Sequence, residues 1–232
     1  MKMNLFAMII VIVLTFVSCG GENSAPLGMS AEPTELFTYI VNAEYNGIVL
    51  TGYSGTKTTL KIPDTIDDLP IVGIESTCFA VGQVTKVEFP ATVKYFRWGD
   101  KKLNSAKDIE FIVIPEGVTE IAPETFKDFG ALTRITIPLS VTDIGDKAFF
   151  YCTSLTHIVI PDGVKTIGKM AFWHCVSLRS AFIPDSVTEI GIRAFYGCIS
   201  LTKAVYKTIT YSYNKYYANL PQEFYDAVNG NQ

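Results

Sequence analysis

A 23-residue phrase recurs four times in succession, and the same residue types return to the same slots. Prolines stand at Pro115, Pro138, Pro161 and Pro184, and phenylalanines at Phe126, Phe149, Phe172 and Phe195. Isoleucines fall at Ile121, Ile144, Ile167 and Ile190, and valines at Val118, Val141, Val164 and Val187. Cysteines join the beat at Cys152, Cys175 and Cys198. A fixed period of this length means that each copy is one supersecondary unit, unable to bury its apolar face alone. The copies must therefore stack into a solenoid. That architecture offers a long surface and argues against a pocket enzyme.

One copy shows how the coil is built. Ile158, Val159 and Ile160 alternate, so a short strand turns two side chains inward and Val159 outward. Pro161-Asp162-Gly163 makes a turn, because proline cannot donate to a strand ladder. Val164 to Ile167 comes back inward at the spacing of a bend or a second short strand. Gly168 is read as a site of positive φ. Ala171, Phe172 and Cys175 then recur at helical spacing for roughly two turns. The expected class is α/β: a solenoid of 23-residue strand–turn–short helix repeats.

Two earlier copies are looser. Leu60-Lys61-Ile62-Pro63 opens one, which closes with Ile74 and Phe79; Val87-Glu88-Phe89-Pro90 opens the other, which loses the pattern at Phe96-Arg97-Trp98-Gly99. The proline steps there are 27 and 25 residues (Pro63 to Pro90 to Pro115), so loops must bulge at those steps.

The phrase Leu-x-x-Ile-x-Ile-Pro-x-x-Val-x-x-Ile-Gly-x-x-Ala-Phe-x-x-Cys resembles the repeat of BspA-like leucine-rich-repeat surface proteins. Ile135-Thr136-Ile137-Pro138 through Ile144-Gly145 and Ala148-Phe149-Phe150-Tyr151-Cys152 matches it slot by slot. The likeness covers about residues 60–206. Phe37-Thr38-Tyr39 and the run from Gly47 to Tyr53 resemble the leader of such repeats, a β-hairpin cap. The resemblance implies a leucine-rich-repeat solenoid on a bacterial surface or envelope protein that binds proteins of a host matrix or of another cell. It does not specify the ligand.

The first residues give an address. Lys2 precedes an apolar run from Leu5 to Val17, broken only by Thr15. A membrane-spanning helix needs about 20 residues, so this run reads as the core of a secretory signal. Phe16-Val17-Ser18-Cys19-Gly20 resembles a bacterial lipobox, with Cys19 as the lipidated residue; an ordinary cleaved signal is the alternative. The expected organisation is a lipoprotein signal over residues 1–18, a flexible tether over 19–34 and an N-terminal β cap over 35–59. The solenoid follows over 60–206 and a C-terminal cap over 207–232. The expected location is the bacterial envelope, at the outer membrane or cell surface, with the membrane touched only through the lipid anchor.

Chemistry-bearing patterns are scarce. The net charge of −4 and the absence of a basic stripe argue against nucleic acid as a partner. The two histidines, His157 and His174, have no metal-ligand spacing, and neither a nucleophile elbow nor a phosphate loop occurs. Neither a cofactor nor a catalytic residue is expected. Cys78 holds an alanine slot, and the other three cysteines share one inward slot, which reads as buried thiols in preference to bridges. Glu120, Asp143 and Glu189 form an outward file that Thr166 interrupts: a solvated face, or a cation site.

The strand surface remains. One outward file runs Lys61, Glu88, Val113, Thr136, Val159, Phe182, Val205; its neighbour runs Lys86, Phe111, Arg134, His157, Ser180, Lys203. Val159, Phe182 and Val205, flanked by Arg134, His157 and Lys203, form the candidate ligand-binding set, an apolar centre with a basic rim. The function expected is non-catalytic recognition or adhesion, with a structural envelope scaffold or glycan binding as the alternative. Past Tyr206, a cluster of Tyr211, Tyr213, Tyr216 and Tyr217 precedes Asn219-Leu220-Pro221-Gln222, a helix start that would make a lid.

Overall fold

The computed structural model describes residues 33–79, 84–97, 108–206 and 209–212, together with 220, 222, 224 and 226. The expected signal, Cys19, the two long-step loops at 80–83 and 98–107, and Tyr213, Tyr216, Tyr217 and Asn219 lie outside the described residues.

Strands number along the chain: β1 (Phe37–Asn42), β2 (Gly47–Tyr53), β3 (Thr59–Lys61), β4 (Thr65–Ile66), β5 (Leu69–Glu75), β6 (Lys86–Glu88), β7 (Tyr95–Arg97), β8 (Phe111–Val113), β9 (Glu120–Ile121), β10 (Arg134–Thr136), β11 (Asp143–Ile144), β12 (His157–Val159), β13 (Thr166–Ile167), β14 (Ser180–Ile183), β15 (Glu189–Ile190), β16 (Lys203–Tyr206) and β17 (Ile209–Ser212). They form a β-solenoid of about six turns. Each regular coil contributes a strand to a first face and a two-residue strand to a second. On the first face β3, β6, β8 and β10 form one parallel ladder, and β12, β14 and β16 another, closed by antiparallel β17. The second face stacks β9, β11, β13 and β15 in parallel register, Ile121 beside Ile144, Ile167 and Ile190.

The N-terminal hairpin is more than a lid. β1 and β2 pair antiparallel, yet β2 lies parallel to β5, and β5 to β7. The cap is thus a curled sheet that prolongs the second face. The C-terminal end is closed differently, by the β16–β17 pair on the first face and by Leu220 and Phe224, both buried.

The interior is a column of rings. Phe149 stacks on Phe172 at 5.1 Å and 4°, Phe172 on Phe195 at 5.2 Å, and Phe126 on Phe149 at 5.4 Å. Phe224 closes the column edge-on to Phe195, and Phe96 tilts against Phe126 at the other end. Each buried ring contributes about 1.5–3 kcal/mol of transfer free energy. The one-slot repeat of phenylalanine is therefore the spine of the fold.

The expected short helix is absent: among the described residues of the repeats, none is α-helical. The segment is a chain of tight turns in which alternate amides take different partners. Ala171, Trp173 and Cys175 donate within the coil to the carbonyls of Gly168, Met170 and Phe172. Met170, Phe172 and His174 donate to Ile192, Ala194 and Tyr196 of the next coil. A two-turn helix would spend its amides internally and leave its first four unpaired; the alternation pairs them across coils instead. It requires left-handed backbone twice per copy. Glu124, Lys147, Met170 and Arg193 have φ of 55–61°, and Asp128, Tyr151 and His174 have φ of 56–64°, with Gly197 at 77° in the last copy. Spacings of one and four between inward residues suit these turns as well as they suit a helix, which is why periodicity alone misassigned them.

The role of the repeated glycine is also corrected. Gly168 does not carry the positive φ. It stands where coils approach most closely: a Cβ there would lie 2.5 Å from the Asp146 amide nitrogen, and one at Gly191 2.3 Å from that of Lys169. Contacts so short exclude any side chain.

Candidate functional site

The first face presents the candidate residues in register. In β8, β10 and β12 the central isoleucines Ile112, Ile135 and Ile158 are buried, and Ala181 and Ala204 hold the same slot in β14 and β16. Strand alternation then fixes the flanking side chains outward. Val159 pairs with Phe182 and Phe182 with Val205, while His157 pairs with Ser180 and Ser180 with Lys203. Val159 is 70% exposed and Phe182 56%. Val205 is half-buried. The Lys203 backbone sits in the ladder, and its side chain lies outside the described residues.

Arg134 belongs to the neighbouring ladder. Its guanidinium rests 5.8 Å from the Phe111 ring centre, and the Lys86 ammonium approaches the same ring at 5.8 Å. His157 Nδ1 is 3.0 Å from the Thr156 hydroxyl. Between β10 and β12 the strand ladder is interrupted, and Thr156 bridges the seam through its amide and hydroxyl to the Thr133 carbonyl. A shallow cleft of about 390 Å³ opens there, lined by Thr133, Arg134, Ile135, Thr156, His157 and Val159. Arg134, His157 and Val159 thus share one cleft, with Phe182 on the adjoining strand.

Two features escaped the sequence reading. Arg179 is exposed on the same border, one residue before β14. The signal was available, since Thr133, Thr156 and Thr202 occupy its slot and the arginine is the odd one out. Neither Arg134 nor Arg179 has an ion-pair partner among the described residues; the one ion pair on this face, Lys61 with Glu88 at 3.6 Å, lies at its N-terminal end. The second feature is on the turn side. Phe150, Trp173 and Tyr196, at 23-residue steps, stack at 6.0 and 4.3 Å, with Lys127 over Phe150 and Arg193 over Trp173 and Tyr196. Tyr151 stacks on His174 at 5.1 Å. These ring faces are already occupied by one another.

The second face carries the acidic file. Glu120, Asp143, Thr166 and Glu189 stand side by side in register. The Thr166 and Thr142 hydroxyls donate to Asp143 at 2.5 and 2.7 Å. The Thr166 bond first, then that of Thr142, holds the Asp143 carboxyl below its ordinary range, against the opposing effect of burial. Among the described residues, no group of three His, Cys, Asp or Glu is arranged to hold a metal ion. Glu124 sits at 3.1 Å from Lys127 and 3.2 Å from Lys147. Burial would raise its carboxyl, but the two lysines outweigh that and lower it.

The cysteines are free and buried at Cys78, Cys152, Cys175 and Cys198. In the last three, the thiol donates to the carbonyl of a phenylalanine one coil back: Cys152 to Phe126, Cys175 to Phe149, Cys198 to Phe172, at 3.1–3.2 Å. Burial pushes the Cys175 thiol up, the opposite of what a nucleophile needs. His174, its sequence neighbour, turns outward against Tyr151, so the two form no catalytic pair.

Residues 99–222 match the family model described as the BspA type leucine rich repeat region, in six copies. None of the curated proteins matches the chain. Among solved structures, a leucine rich repeat protein of T. pallidum is 27% identical, with a TM-score of 0.53 over 75% of this chain and 71% of its own. One from Bacteroides ovatus is 30% identical at a TM-score of 0.62, over 75% of this chain and 46% of its own. A leucine rich cell surface protein of Faecalibacterium prausnitzii shares the fold at 23% identity and a TM-score of 0.54, over 81% of this chain and 59% of its own. The chain therefore spans about half the length of the last two.

Proposed function

The chain belongs to the BspA-type leucine rich repeat family, and on that premise we propose that it is a cell-surface recognition module that binds a protein ligand on its first face. The observation behind this reading is the uncovered file of Val159 and Phe182, held on a register-locked sheet beside cations that have no ion-pair partner among the described residues. A lone exposed apolar residue is ordinary, but contiguous ones on a rigid sheet are the composition of an interface core. The F. prausnitzii protein of the same fold is called a cell surface protein, which agrees with this placement. Lipidation at Cys19 would hold the module beside a membrane through residues 19–34. Catalysis has no part in the reading; repeat proteins of this family are generally non-catalytic.

Size sets the expected strength. Strands at about 4.8 Å spacing give a face roughly 30 Å long and on the order of 450 Å² in area, against about 800 Å² per partner in a stable complex. Single molecules should bind weakly, and many copies on one cell would supply avidity. The test is Phe182→Asp in cells displaying the full chain. Reduced attachment to immobilised matrix or partner-cell protein, with unchanged circular dichroism, supports the reading. Unchanged attachment removes the first face from it and favours an envelope scaffold.

A further inference from the structure

The first face is electrically lopsided, and the asymmetry identifies a class of ligand. From β10 onward, its upstream border carries Arg134, Thr156, His157, Arg179, Ser180 and Thr202, with no carboxylate among them. Glu110, one coil earlier in the slot of Thr133, marks where that stretch begins. On the opposite border, after the prolines, Asp162 and Asp185 are exposed. A chain of net charge −4 has thus kept its acids off one side of its most apolar strip.

We infer that this border receives the carboxylates of an acidic polypeptide segment, whose apolar side chains lie on Val159 and Phe182. The inference rests on the first face being the binding surface. Arg134 and Arg179 stand two coils apart, roughly 10 Å at about 4.8 Å per coil. An extended segment crossing the strands covers that distance in about three residues, at roughly 3.3 Å each. The cleft of about 390 Å³ beside Arg134 has room for a carboxylate side chain, with the Thr156 hydroxyl and the His157 ring on its walls. Arg179 and the Phe111-stacked Arg134 have no carboxylate partner among the described residues, and a guanidinium in that state can offer a carboxylate two parallel donors. A basic segment would meet two uncompensated cations there, and Asp162 and Asp185 on the far border would pull it off the apolar strip.

Four fluorescein-labelled probes test this on the full chain by anisotropy: a synthetic peptide repeating glutamate-leucine-leucine, its glutamine and lysine counterparts, and polygalacturonate. The glutamate peptide should bind about tenfold more tightly than the glutamine peptide, and lose that margin in high salt. Arg134→Glu with Arg179→Glu should reverse the order in favour of the lysine peptide, at unchanged circular dichroism. The milder Arg134→Gln and Arg179→Gln variants should each remove part of the margin. Equal binding of the glutamate and glutamine peptides overturns the inference while leaving the first face as a binding surface. Binding of polygalacturonate without the glutamate peptide overturns it in favour of an acidic glycan. No binding by any probe, joined to unaffected cell attachment of Phe182→Asp, overturns the binding surface itself.

Discussion

The turn side and the first face of the same coils repeat with equal fidelity and use their outward residues in opposite ways. On the turn side, Phe150, Trp173 and Tyr196 stack on one another, Lys127 and Arg193 settle on their rings, and Glu124 is shared by two lysines. On the first face, Val159 and Phe182 stand largely clear, Arg134 rests on the Phe111 ring, and neither it nor Arg179 has an ion-pair partner among the described residues. Register alone therefore does not make a binding surface. In-register outward residues become a structural column when their neighbours satisfy them and stay open to solvent when they do not. The half-buried, stacked aromatics on the turn side are a poor platform for sugars for this reason, since a sugar ring needs a free aromatic face.

Both flanks hang on the phenylalanine spine, so the largest effect should come from breaking it. Phe172→Ala should cost about 3–5 kcal/mol, because it leaves a cavity between two stacked rings that neighbouring coils cannot close. Urea denaturation followed by circular dichroism measures it; a loss under about 1 kcal/mol would mean that the column is not the common support.

Next in size is the direct contrast between flanks. Trp173→Ala should cost about 2 kcal/mol through lost stacking and partial burial, and should leave cell attachment intact. Phe182→Asp should do the reverse, changing stability by less than about 0.5 kcal/mol, as befits an exposed site. If the two variants shift stability and attachment in parallel, the division of labour between the flanks fails.

The turns themselves give a test by sign. Asp128 is exposed and has φ of 64°. Asp128→Gly should leave stability unchanged or raise it by a few tenths of a kcal/mol, and Asp128→Val should lower it by about 1 kcal/mol. In a helix the glycine would instead cost about 1 kcal/mol. Thermal melting of the two variants distinguishes these cases, and Gly197 in the same slot of the last copy already shows glycine accepted there.

What the sequence made legible follows from what repetition encodes. Identical slots had to share environments, so the strand alternation, the inward return at Thr166–Ile167 (as a bend or a second short strand) and the common interior of Phe126, Phe149, Phe172 and Phe195 were all readable. The turn segment was not, because Ala171, Phe172 and Cys175 keep the same inward pattern whether the backbone coils or kinks; the left-handed slots are filled by Met170 and His174, which do not advertise a positive φ. The site was half legible. Alternation placed Val159 and Phe182 outward, but whether an outward residue is satisfied depends on its neighbours in other coils. That is why the sequence pointed to neither the turn-side ladder nor Arg179, and why it left the acidic file as a solvated face or a cation site, with no sign that the Thr166 hydroxyl donates to Asp143.

That last contact supplies the smallest and most specific effect. Asp143 accepts the Thr166 hydroxyl, and its carboxyl is held below its ordinary range. A carboxylate with a depressed folded-state value stabilises the protein above its unfolded-state value, and that contribution is lost as the pH falls through the folded-state one. Thr166→Val keeps a strand-forming shape and removes the donor. It should cost roughly 0.5–1 kcal/mol at pH 7, below the roughly 1.5–3 kcal/mol of a bond to a charged group, because the site is partly open to solvent. The difference from the native chain should then close as acid protonates Asp143 in both. Urea melts of the two proteins at neutral and at acid pH measure the gap directly. A gap of equal size at both would mean that the threonine acts through packing, and that the second face, like the turn side, is held by shape and not by charge.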